Sequence, residues 1–227
     1  MSVKVYYDIL SHPSRAVLLF CRANKKFIPF TPKPIALRKF ENKSEEYAQI
    51  NPMKKVPAIV DGNFKLSESV AILMYLSDKY NVPGHWYPKD LDRRAKVDEF
   101  MGWQHIAHFN FTKLFNYEVI LPSVTGSKTD QGKLSSAVVE VEKTLTNLEQ
   151  IFLKDKQYLC GSDISIADLL GVCEVEHVTA TGHDITEAHP LIGSWVERVR
   201  QRLNPDFDEV HSVMHKLRDK NKTKYAK

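Results

Sequence analysis

Val3, Val5, Tyr7 and Ile9 alternate with Lys4, Tyr6 and Asp8, the period of two that a half-buried strand requires. Ala16, Leu19, Phe20 and Ala23 follow at the i, i+3, i+4, i+7 spacing of a helix face, so the chain opens as strand, turn and helix. Three prolines between Ile28 and Ile35 bar a long helix and predict a second strand there. Val56 to Val60 and Phe64 to Leu66 flank Asp61-Gly62-Asn63, a short turn tolerant of positive φ, and read as an antiparallel hairpin. A helix follows, with Ser67 as its expected N-cap and Val70, Leu73, Met74 and Ser77 on one face. A short extra helix fits near residues 44–49.

The order β-α-β-β-β-α is that of a small thioredoxin-like domain. After Asn81-Val82-Pro83-Gly84, a linker by composition, strand signals fade. Leu134, Val138, Val141, Leu145, Leu148 and Phe152 step by four and three, one stripe of a helix packing into a bundle. Further helices are expected over 90–121, 165–180 and 189–203. Ser165 and Asp168 form a capping-box-like start to the second of these, with Ile164 and Leu169 placed as a hydrophobic staple. The tail from Lys216, rich in Lys and Arg, reads as a frayed solvated end. The fold class is therefore an α/β thioredoxin-like N-terminal domain over 1–82 and an all-α helical-bundle C-terminal domain over 88–227.

Of 227 residues, 43% are apolar and 26% charged, which suits a globular chain. No apolar run approaches about 18 residues, and Met1-Ser2-Val3-Lys4 leads directly into strand alternation, so neither a membrane span nor a signal peptide is expected. The expected location is cytoplasmic. Cys21, Cys160 and Cys173 are odd in number and lack CxxC spacing, against a disulfide framework or structural zinc. Residues 1–80 hold 13 Lys and Arg against 7 Asp and Glu, while the remainder holds 19 against 21. This local excess, with no basic stripe interleaved with aromatics, fits a small anionic ligand better than nucleic acid.

Three segments can carry chemistry. Ser11-His12-Pro13-Ser14-Arg15 opens the first helix, whose free N–H groups and dipole favour negative charge, and a hydroxyl there can donate to an anion. Serine at both 11 and 14 argues against disulfide exchange. Asn51-Pro52-Met53-Lys54-Lys55-Val56-Pro57 ends as a strand begins, and a cis Val56-Pro57 bond would turn the backbone of Val56 toward an extended peptide. Ser67-Glu68-Ser69 opens a helix whose amides and hydroxyl can hold a carboxylate. Taken singly, each also reads as plain capping or an ordinary loop proline. Together they could grip a short peptide with a carboxylate at each end and a thiol between, which describes glutathione.

The stretches Leu10 to Val17, Asn51 to Leu76, Trp86-Tyr87-Pro88 through Trp103-Gln104-His105, and Ile164 to Leu170 resemble the theta class of cytosolic glutathione S-transferases. The resemblance covers nearly the whole chain. It implies a homodimer that conjugates glutathione to small electrophiles such as alkyl halides, epoxides and sulfate esters, with peroxide reduction by the same thiolate. Glutathione enters as co-substrate and no other cofactor is implied. It implies that Ser11 activates the sulfur, that Lys55 contacts the glycine carboxylate, that Val56 pairs through its backbone, and that Glu68 and Ser69 hold the γ-glutamyl end. The sequence departs from the class in three places. Asn42 stands where a histidine is common, with Lys43 beside it. Phe109 stands where some members carry an arginine. A basic tail stands where many carry a further helix over the site.

Tyr6 or Tyr7 is a rival donor to the sulfur, since other classes use a tyrosine on the first strand, but the Ser-x-Pro turn favours Ser11. His12, Phe109 and Phe115 are candidate substrate contacts; core packing is the competing reading of both phenylalanines. His105 and His108 share a helix but lack a third ligand at suitable spacing, so no metal site is expected. Asp168 reads as capping. The rival function is a non-catalytic binding or assembly module built on the same fold, and a haloalkane dehalogenase would use the same residues.

Overall fold

In the computed structural model of the chain, which describes residues 2–185 and 187–222, strands β1 (Val3–Tyr7), β2 (Phe30–Pro34), β3 (Ala58–Asp61) and β4 (Phe64–Ser67) form one sheet. Their order is β2-β1-β3-β4, with β2 parallel to β1 and the other pairs antiparallel. Helix α1 (His12–Ala23) is the crossover between the parallel pair, as a βαβ unit demands. β2 lies at a sheet edge, the place where Pro32 and Pro34 can be accommodated. Gly62 takes φ +61 in the turn of the β3–β4 hairpin. Val3 and Val5 are fully buried under α1 and α3 (Ser69–Lys79). Tyr6, on the opposite face, meets Tyr47 of α2 (Glu45–Ala48) edge-on at 6.0 Å.

The helix predicted after β4 begins one residue later than expected. Ser67 is held in the strand by pairing with Ala58, and the N-cap position falls to Glu68 at φ 67 and ψ 115. A side chain at positive φ is strained by about 1–3 kcal/mol unless its surroundings hold it.

The described elements after α3 are helical: α4 (Leu91–Phe115), a π-helical turn Asn116–Ile120, α5 (Leu121–Thr125), α6 (Gln131–Asn147) continued by a second π-helical turn Leu148–Leu153, α7 (Ile166–Thr179), α8 (Pro190–Leu203) and α9 (Asp206–Lys222). The apolar stripe read along α6 faces inward, with Val141, Leu145, Leu148 and Phe152 buried. α7 is apolar nearly all round and runs through the middle of the bundle, buried from Ile166 to Val178. It approaches its neighbours so closely that a Cβ on Gly171 would lie 2.8 Å from Leu159 and 3.2 Å from Phe100 and Trp195. Asp168 does more than cap this helix. Its carboxylate accepts from Ser165 N, Ser165 Oγ, Leu159 N and Trp195 Nε1, tying α8 and the preceding loop to α7.

The basic tail departs from expectation. Instead of fraying from Lys216, the chain stays helical to Lys222, because Phe207, Val210 and Met214 bury one face of α9 and Asn221 Nδ2 donates to the carbonyl of Ala180. Residues 223–227 of that tail lie outside the described residues. One apolar core runs without a break from Val3 and Leu19 through Trp86 and Phe100 to Phe207, so the sheet domain and the helices share their interior. Among the described residues no helix is long and apolar enough to cross a membrane.

Candidate functional site

The strand register brings the chemistry-bearing segments to one end of the sheet. Tyr6 pairs with Ala58 and Ala58 with Ser67, so the C-terminal end of β1, the start of β3 and the end of β4 lie side by side. The Ser11 turn follows the first of these, Val56-Pro57 precedes the second, and Glu68-Ser69 follows the third.

Ser11 is the N-cap of α1. Its Oγ accepts from Ser14 N at 3.4 Å, a weak contact that leaves the hydroxyl proton uncommitted to it. The turn itself is firmly built: Asp8 accepts from Leu10 N and Leu37 N at 2.8 Å each, and Ser11 N donates to Asp8 O. Arg15, fully buried one turn along α1, donates to Ile9 O at 2.8 Å.

The 51–57 loop is braced from below. Asn42 Nδ2 donates to Lys54 O at 2.7 Å, and the carbonyl of Lys55 accepts from Tyr47 Oη and Asn51 Nδ2 at 2.8 Å each. Lys54, at φ +55, sends its ammonium to Glu45 and to the carbonyl of Lys43. Asn42 is thereby buried and committed to the loop, while Lys43 and Lys55 remain exposed. The Val56-Pro57 bond is cis. Neither backbone polar group of Val56 has a hydrogen-bond partner among the described residues. Glu68 is exposed, and Ser69 is the first residue of α3, where the helix amides are free.

The substrate candidates separate. Phe109 on α4 is 66% exposed, whereas Phe115 is buried, its ring 3.9 Å from that of His177 and packed with Ala180 and Met214. His12 is also buried; its Nε2 lies 2.8 Å from His108 Nδ1, and its ring lies tilted against that of His177 at 4.7 Å. Burial, then the neighbouring His177, His108 and Arg15, hold the His12 imidazole well below the usual range, so it is neutral. Burial and Arg15 do the same for His177. His108 is half-buried and lowered by burial, by His105 and by Lys55, with Glu68 opposing, which sets it within reach of the charges at the sheet end. Glu174 on α7 is 1% exposed with Oε1 unpartnered, and burial drives its carboxyl well above the usual range. Leaving such an oxygen bare costs about 1–3 kcal/mol.

His12, His108 and Glu174 present ligand atoms within 4.8 Å of one another, a grouping sequence reasoning missed because the three sit on different helices. Tyr6, shielded by burial and beside Glu46, is pushed up from its normal range, and Tyr7 packs against the shared core. Two hollows of about 260 and 480 Å³ lie elsewhere, one between α7, α8 and α9 and one beside the 81–90 linker.

Comparison with known proteins identifies the family to which this fold belongs. The family model for the glutathione S-transferase N-terminal domain matches residues 2–78, and that for the C-terminal domain matches residues 103–202. Mouse glutathione S-transferase theta-1 is 41% identical over 221 residues, covering 96% of this chain and 91% of the relative. The apo structure of human glutathione S-transferase T1-1 superposes with a TM-score of 0.89 at 40% identity, covering 96% of this chain and 91% of that one. A human theta-class glutathione transferase in complex with the glutathione conjugate of 1-menaphthyl sulfate superposes with a TM-score of 0.91 at 34% identity, covering 99% and 92%. The chain belongs to the glutathione S-transferase family, in its theta class.

Proposed function

We propose that the protein conjugates the glutathione thiolate to small electrophiles such as alkyl halides, epoxides and sulfate esters, with Ser11 as the donor to sulfur. The observation that carries this reading is the convergence of the Ser11 turn, the unpaired backbone of Val56 and the start of α3 at one end of the sheet. A tripeptide lying across that end pairs its cysteinyl backbone with Val56. Its γ-glutamyl end meets Glu68, Ser69 and the free amides of α3. Its glycine carboxylate meets Lys55 and Lys43, with Asn42 acting through the loop it braces.

A cysteine-like thiol has a pKa of about 8.5, so thiolate dominance at pH 7 needs a shift of about two units, or ~2.7 kcal/mol. One hydrogen bond to a charged acceptor contributes about 1.5–3 kcal/mol and a helix N-terminus about 0.3–1 more. Ser11 and α1 together meet that need. The thiol proton goes to solvent, sulfur bonds to the carbon, and the halide or sulfate leaves with the bonding pair. In peroxide reduction the same thiolate takes the terminal peroxide oxygen as a sulfenic acid while the O–O bond breaks and the alcohol leaves, and a second glutathione then displaces water to form the disulfide. Phe109, exposed on α4, offers an apolar wall to the electrophile, with the buried Phe115 and His12 behind the surface layer. A homodimer is part of this reading and is checked by sedimentation.

Retention on immobilised glutathione followed by turnover of an alkyl halide, an epoxide, an aryl-methyl sulfate and cumene hydroperoxide tests it. Binding without turnover of any of the four would replace the enzyme with a glutathione-binding module.

A further inference from the structure

We propose that His12, His108 and Glu174 form a binding site for a divalent first-row transition ion of the zinc type, at the junction of α1, α4 and α7 and beside the glutathione contacts. One ligand atom from each residue lies within 4.8 Å of the other two. Neighbouring donors on a tetrahedral zinc stand about 3.3 Å apart at ordinary bond lengths of 2.0–2.1 Å, so the widest pair needs to close by up to about 1.5 Å. His12 Nε2 and His108 Nδ1, now 2.8 Å apart, would separate to about 3.3 Å, the spacing of tetrahedral neighbours.

Glu174 supplies an independent reason. Its Oε1 is buried with no hydrogen-bond partner among the described residues, in a position that otherwise favours an apolar side chain. A buried carboxyl with one bare oxygen, lying within 4.8 Å of two imidazole nitrogens, is accounted for by a cation between them. Two imidazoles and one carboxylate suit zinc, cobalt or nickel, not the all-oxygen demand of calcium or magnesium. Three protein ligands also leave a fourth coordination position, as in sites that exchange water. The entry path is on the His108 side, since His108 is half-buried while the other two are enclosed. His177, in ring contact with His12 and with Nδ1 bare, lies alongside as a polar neighbour. Arg15 opposes a cation electrostatically, although two of its nitrogens are committed to the carbonyls of Ile9 and Cys173.

The test uses the chelator-treated full chain without glutathione, whose thiol would compete for metal. Cobalt(II) is titrated and read by its visible d–d absorption, which is far stronger for four-coordinate than for hexa-aqua cobalt, and zinc is then added to displace it. The expected result is one ion per chain, displaced by zinc, with His108→Phe and Glu174→Gln each weakening binding at least tenfold and His105→Ala leaving it unchanged. Should Glu174→Gln fail to fold, His108→Phe at the half-buried position carries the same reading. Absence of the absorption, unaltered binding in His108→Phe, or loss in His105→Ala would each overturn the proposal.

Discussion

Arg15 Nη2 donates to the backbone carbonyl of Cys173 at 2.9 Å, joining residues 158 positions apart, while Nη1 of the same guanidinium holds Ile9 O at 2.8 Å. One buried side chain therefore fixes the Ser11 turn from below and anchors it to α7. Burial lowers the Arg15 pKa, and the Glu176 carboxylate counters it. The seat of the proposed catalytic hydroxyl is a joint between the two halves of the molecule.

Arg15→Met should lower stability by about 2–4 kcal/mol, because two buried carbonyls lose charge-assisted partners that methionine cannot replace. Relief of the desolvated charge offsets part of the loss. Urea unfolding measures the change; a loss below about 1 kcal/mol would mean that apolar packing alone seats α1 on α7.

Ser11→Ala should return the glutathione sulfur toward its free pKa of about 8.5, leaving only a few per cent thiolate at pH 7. Turnover is expected to fall roughly 30-fold at pH 7 and less than about threefold at pH 9, where the thiol ionises unaided. Tyr6→Phe and Tyr7→Phe should change both values little. A pH–rate series on the three variants decides: a mild Ser11→Ala beside a crippled tyrosine variant transfers the role to the tyrosine.

The Ser11 turn, the Val56-Pro57 corner and the Ser67-Glu68-Ser69 segment were all legible in the sequence, because each depends on local chemistry within a few residues. The start of α3 was placed too early because the cross-strand pairing of Ser67 with Ala58 is invisible locally. α9 was overlooked: Asn204-Pro205 closes the pattern of α8, and the apolar face of Phe207, Val210 and Met214 is diluted by Asp206, Asp208 and Glu209. His108 reads in the sequence with His105 alone and without a third ligand, because His12 and Glu174 lie 96 and 66 positions away and only the packing of α4 against α1 and α7 reveals them.

Glu68→Gly should release the strain of φ 67, with a net gain in stability of up to about 1 kcal/mol once glycine's greater unfolded-state freedom is deducted. The same change should raise the KM for glutathione about tenfold or more by removing the γ-glutamyl contact. Thermal unfolding and initial rates on one preparation separate the two effects; an unchanged KM would take Glu68 out of the binding set.

His211 is buried on α9, with Nδ1 3.0 Å from Phe207 O and Nε2 without a partner among the described residues. Burial, then Arg15 on α1, hold its pKa down to about 3; Glu176 on α7 and the Phe207 carbonyl pull upward, and His215 pushes down. The unfolded chain takes up this proton near pH 6.5 and the folded chain does not. Stability from this group is therefore complete above about pH 6.5 and declines as pH falls toward 3, by about 1.36 kcal/mol per pH unit. His211→Leu should flatten the dependence by one proton between pH 6 and 4, measured by urea unfolding at several pH values. A slope equal to that of the unmodified protein would remove His211 from the acid response.

Pro32 and Pro34 in β2 have a meaning for the molecule's encounters with its own kind. An open strand normally offers a ladder of amide donors on which another polypeptide can template itself. Here that margin carries rings in place of two N–H groups, so a neighbouring chain cannot extend the sheet along it. Crowded copies are steered away from fibrillar stacking, and any association on that flank must rest on side chains.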